Sequence, residues 1–171
     1  MTPIRKHLIW LVLVVVAALL QTNWPDGLRV QDVVPNLTLI LVEYFALVEG
    51  EERAMMTGLI GGIYQDVATE SVLGHHVLCL IILGFVIGRL STRLIVDHPA
   101  VRVGLVFLAC FAHGLLYTII LFIQEPGTSA LFTIITQVIP SAFYSALITL
   151  PSFVLCRKVF HRHELHGWGT A

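Results

Sequence analysis

The sequence predicts an all-α integral membrane protein, a six-transmembrane-helix bundle in a single domain, and three observations carry that expectation. Apolar residues make up 57% of the 171 residues, charged residues only 12%, and mean hydropathy is +0.87, far from a soluble domain's balance. The apolar residues gather into continuous segments. Barrel strands would alternate apolar with polar, so helices, which satisfy their own backbone groups in lipid, are the expected form. Finally, the cations fall almost entirely on one side of the resulting topology.

Six segments follow in order: residues 4–20, 33–48, 54–67, 76–90, 103–123 and 131–156, together a single membrane domain over 1–171. The first has Arg5 and Lys6 ahead of it. Val16, Ala17 and Ala18 loosely suit a signal peptidase, yet the apolar run continues through Leu20 and is followed by the interfacial pair Trp24 and Pro25. An uncleaved first span is expected. Pro35 opens the second segment, where a missing N–H does no harm. The second and third are short, about 21 to 24 Å at ~1.5 Å per residue against a hydrocarbon core of ~30 Å. Pro140 and Pro151 lie within the sixth segment and should bend it, placing Gln137, Ser141 and Ser145 along a possible cavity.

With the N-terminus in the cytoplasm, Arg5, Lys6, Arg53, Arg89, Arg93, Arg102, Arg157, Lys158 and Arg162 lie inside and only Arg29 outside. An odd number of spans would break this pattern, so both termini are expected to be cytoplasmic. A net charge of −1 leaves no basic surface for nucleic acid. The basic stretch at 157–163 reads as a topology determinant, with anionic lipid head groups as the alternative.

The polar chemistry is sparse. Cys79, Cys110 and Cys156 are solitary in apolar surroundings and form no CxxC, so no redox role is expected. His161, His163 and His166 lie close together, but the His163 to His166 run is one residue short of HExxH, and no metal is expected. His75 and His76 read as interfacial side chains or local caps, and His113 as a cross-helix hydrogen bonder. Ser141 and Ser145 sit a turn apart with no base beside them. No catalytic residue, cofactor or phosphate-binding loop is indicated, and the chain is expected not to be an enzyme.

Packing signals are richer. Gly58 with Gly62, and Gly84 with Gly88, each form a GxxxG, and Ala142 with Ala146 repeats the small-xxx-small spacing. Such faces let another helix approach closely, either within the bundle or from a partner. Glu43 and Asp66 are the acids within apolar segments. An ionised carboxylate there costs roughly 2.5 to 3.5 kcal/mol at a helix centre, so each is expected to be paired, protonated or facing a cavity. Asp66, near the end of its segment, suits a helix cap. Glu43 suits an internal hydrogen bond or a pocket. With His113 and Gln137 they form the expected polar core.

These residues carry a family resemblance. Pro35, Asn36 and Leu37 open an apolar helix, followed by Tyr44, Phe45 and Ala46 and by a charged hairpin from Glu49 to Arg53. A Gly-rich helix then ends in Gly61, Gly62, Ile63, Tyr64, Gln65 and Asp66, and Leu73 and Gly74 lead into a helix closed by Gly88, Arg89 and Leu90. With the last segment, from Ile139 through Pro151 to a basic end, this resembles the bacterial rod shape-determining protein MreD family. Asn36 is a departure, since the family commonly has Asp there. The resemblance implies a non-enzymatic scaffold of the cell-elongation machinery in the inner membrane. Its partner would be the membrane helix of MreC and, indirectly, RodA, a penicillin-binding transpeptidase and MreB, with membrane lipid around it. The family fold is in turn similar to the substrate-binding subunit of energy-coupling-factor vitamin transporters, and such a subunit is the alternative function.

Overall fold

A computed structural model describes residues 3–25, 27, 29, 33–69, 74–91, 99–124 and 129–161. Arg93, Arg162, His163 and His166 lie outside the described residues. The described elements are helices: α1 (Pro3–Thr22), α2 (Leu37–Val48), α3 (Glu51–Ala68), α4 (His75–Ser91), α5 (Pro99–Gln124) and α6 (residues 130–161). Among the described residues, three stretches are long and apolar enough to cross a membrane: Ile4–Thr22, Ala100–Gln124 and Ala130–Lys158. Leu37–Val48 and His75–Ser91 are apolar but shorter.

The axis of the bundle is α2, which touches all five other helices. Every residue from Thr38 to Ala46 is buried, as suits a helix apolar on all sides. It begins at Leu37 rather than 33, because Asn36 is its cap: the side-chain oxygen accepts the Leu39 N–H at 3.0 Å. Pro35 therefore stands outside the helix. Gln21 Oε1 of α1 accepts the next free donor, the Thr38 N–H at 3.0 Å, so two side chains close the helix start. With 12 residues α2 is only about 18 Å long.

The expectation of a short third helix is corrected. α3 has 18 residues, about 27 Å, because the helix starts at Glu51 immediately after a tight turn. Gly50 makes that turn at φ 90° and ψ −174°, a region open essentially to glycine alone. Glu51 and Glu52 then occupy the first turn, where the helix dipole favours anions.

α5 starts at Pro99, whose fixed φ and absent N–H suit a first helical position. α6 contains the expected irregularity, in a specific form. Residues Ile134–Val138 make a π-helical turn, and the α-helical register resumes at Ile139, just before Pro140. The wider turn accommodates a residue that has no N–H to give. Large apolar side chains cover the outside of the bundle, among them Leu8 and Val12 on α1, Phe85 on α4, Leu108 and Ile123 on α5, and Phe143 and Leu147 on α6.

Candidate functional site

Among the described residues, α3 and α4 approach each other backbone to backbone. A Cβ on Gly58 would stand 2.8 Å from the Leu80 carbonyl carbon, and one on Gly62 2.6 Å from the Val77 Cα. From the other helix, a Cβ on Gly84 would stand 3.0 Å from the Ala54 carbonyl carbon and one on Gly88 2.6 Å from the Glu51 Cα. The four glycines thus form one antiparallel seam in which neither helix has room for a side chain. Both GxxxG faces look inward. Ala142 and Ala146 are buried on α6, on a face shared with Ser145 and Thr149.

At the end of the bundle marked by the α2–α3 turn, Arg53 organises the contact with α1. Its Nε donates to Glu49 Oε2 at 2.7 Å and its Nη2 to His7 Nδ1 at 2.9 Å, while the guanidinium lies 4.6 Å from the centre of the Trp10 ring. The Trp10 indole N–H donates in turn to Thr57 Oγ1 at 2.9 Å, giving a buried polar group its partner. Arg89 of α4 reaches Glu51 at 3.5 Å.

Asp66 lies at the opposite end, where it caps α4. Its Oδ2 accepts the Gly74 N–H at 2.8 Å and its Oδ1 the His76 N–H at 2.9 Å, so one carboxylate satisfies two free donors at a positive helix end. His76 stacks on Tyr117 of α5, centroids 4.9 Å apart, and on His113, 5.7 Å apart at 17°. Gln124 Nε2 donates to His75 Nε2 at 2.9 Å across the same α4–α5 contact.

Two expectations for the polar core are corrected. His113 is buried, but its Nε2 has no hydrogen-bond partner: parallel stacking directs the in-plane nitrogen past the neighbouring ring. Gln137 is exposed within the π-helical turn, and Val138 faces inward in its place, against Gly114 of α5. The altered register moves the polar side chain outward. Glu43 does occupy the core as expected, with 0% exposure, and neither carboxyl oxygen has a hydrogen-bond partner among the described residues, so of its two expected arrangements the internal bond is not the one found.

Ser145 Oγ accepts the Asn36 N–H at 2.8 Å, and Ser141 Oγ donates to the Val34 carbonyl at 3.2 Å. Both hydroxyls fasten the strand entering α2 to α6. The chain matches the family described as rod shape-determining protein MreD over residues 1–159. It belongs to the MreD family. No curated protein and no solved structure matches it.

The residues behind the family resemblance have assigned structural work in this MreD-family chain. Asn36 caps α2 through its side-chain oxygen. Gly50 and Arg53 build the hairpin, Gly62 and Gly88 the seam, and Asp66 the α4 cap. Sequence reading missed Gln21, Trp10, Gly61 and Gly114 as contact residues. A Cβ on Gly61 would collide with the Thr38 methyl and one on Gly114 with the Val138 side chain. For Gly114 a signal existed, since Cys110, Gly114 and Thr118 repeat a small residue every four positions.

Proposed function

We propose that this rod shape-determining membrane protein acts as a non-enzymatic scaffold of the cell-elongation, peptidoglycan-synthesising complex. It sits in the bacterial inner membrane as six spans with both termini cytoplasmic. There it packs against the membrane helix of MreC, and through MreC is linked to RodA, a penicillin-binding transpeptidase and MreB. The family match over residues 1–159 carries this reading. The use of polar groups supports it: Ser141, Ser145, Asp66 and Arg53 are each engaged in holding elements together. The glycine seam supplies a stiff α3–α4 pair, and the outward apolar faces remain for lipid and for a partner's helix.

The test is recovery of partners from a native-level tagged chain in mild detergent, identified by mass spectrometry. MreC is expected in the eluate. Recovery of an energising transporter module with bound vitamin, and no MreC, would replace the scaffold with the transporter-subunit reading.

A further inference from the structure

His113 lies in the middle of α5 with 8% of its surface exposed, and its Nε2 has no hydrogen-bond partner among the described residues. Nδ1 of His76, in the first turn of α4, is a second enclosed nitrogen without one. The two rings are neighbours. Their centres stand 5.7 Å apart with planes inclined by 17°, so their in-plane N–H and lone-pair directions run side by side and do not meet. His76 is also fixed from two sides. Its backbone N–H donates to Asp66 Oδ1 at 2.9 Å, and its ring stacks on Tyr117, one turn along α5 from His113, at 4.9 Å.

A buried polar atom without a partner is costly, and one bridging molecule removes that cost at both rings. The spacing suits a single oxygen: 5.7 Å is about two hydrogen bonds of ~2.8 Å end to end. Both nitrogens are closed off from solvent, so the bound molecule is one that the bundle encloses entirely. Neutral imidazole offers either an N–H or a lone pair at each nitrogen, and water, being donor and acceptor, serves every combination of the two. A metal ion would lack ligands, because among the described residues no three His, Cys, Asp or Glu side chains converge on a common point.

We propose that one water molecule is bound between His76 Nδ1 and His113 Nε2, as a buried link from α4 to α5. It adds to the ring stacking and to the Gln124–His75 hydrogen bond at the same contact. The start of α4 is then tied on two sides, by Asp66 to α3 and by the enclosed water to α5. The site concerns one chain and no partner, so it stands apart from the scaffold reading.

Nuclear magnetic resonance of the purified full chain in detergent, with isotope-labelled histidine, tests it at mildly alkaline pH, where imidazole is neutral. The variants His76→Phe and His113→Phe, which keep a stacking ring, assign the two side chains. Magnetisation transfer from water protons is expected at His76 Nδ1 and at His113 Nε2, each with the shift of a hydrogen-bonded ring nitrogen. In His113→Phe the transfer at His76 Nδ1 should be lost, because a water left with one partner is not retained. In His76→Phe the transfer at His113 Nε2 should be lost in the same way. Should a phenylalanine variant not fold, His76→Leu or His113→Leu removes the same nitrogen and gives the same reading. Absence of transfer at either nitrogen in the wild type would overturn the water site. Persistence at one ring after removal of the other would overturn the shared water, since each nitrogen would then hold its own.

Discussion

The backbone of Val77 passes so close to Gly62 that a Cβ there would stand 2.6 Å from the Val77 Cα. Neither backbone can yield without displacing its whole helix, so Gly62→Ala should separate α3 from α4. A cost of about 1–3 kcal/mol is expected, the range for overpacking. Gly88→Ala, equally close to Glu51, should match it, and Gly84→Ala, at 3.0 Å, should cost less. Gly104→Ala is the control. It faces open space within α5, and added helix propensity should stabilise by about 0.5–1 kcal/mol. Unfolding in mixed micelles measures all four, and equal stability of the Gly62 and Gly104 variants would remove the seam argument.

Asp66 holds α4 at its start through two N–H groups, so its removal should free both. Asp66→Ala is expected to cost about 0.5–2 kcal/mol, as for loss of a helix cap. Asp66→Asn keeps one acceptor oxygen and should lie between. The local readout is hydrogen exchange at the Gly74 and His76 amides. They should become fast in Asp66→Ala while the seam glycines stay protected, and continued protection at both amides would contradict the cap.

Much of this was legible in the sequence, and the reasons differ by residue. Apolar runs gave the helices because lipid leaves the backbone no other solution. GxxxG gave the seam glycines because the absence of a side chain is itself the signal. Helix ends were less legible: α3 gained a turn through the conformation of Gly50, and α2 lost one to the cap at Asn36. Gln137 was misplaced because a π-helical turn shifts the register, which the spacing of residues does not announce. Trp10 with Thr57, and Gln21 with Thr38, join positions far apart in the chain, and no local pattern connects them.

Trp10 depends on one acceptor, Thr57 Oγ1, for its buried N–H. Thr57 also donates its own proton to the Arg53 carbonyl at 2.8 Å, so its hydroxyl orientation is fixed for the role. Thr57→Val preserves shape and leaves the indole N–H unsatisfied, with an expected cost of about 1–3 kcal/mol. Thr57→Ser should retain most of the wild-type stability. Faster hydrogen exchange across α1 in the Val variant alone would locate the loss at the α1–α3 contact, and identical behaviour of the two variants would show that the bond contributes nothing.

Gly50 tests conformation separately from contact. No atom lies within 4 Å of where its Cβ would stand, as at Gly104. The two sites differ in backbone: Gly50 has φ 90° and ψ −174°, whereas Gly104 lies inside regular helix. Packing alone would make alanine harmless at both. Backbone strain makes the signs opposite, with Gly50→Ala destabilised by about 1–3 kcal/mol. The turn sets how Glu49 faces Arg53, so the Ala variant should also weaken their 2.7 Å pair and loosen α1. Stability measured against Gly104→Ala decides the matter: two neutral substitutions would mean that the hairpin tolerates a side chain at residue 50 and that α3 does not depend on glycine there.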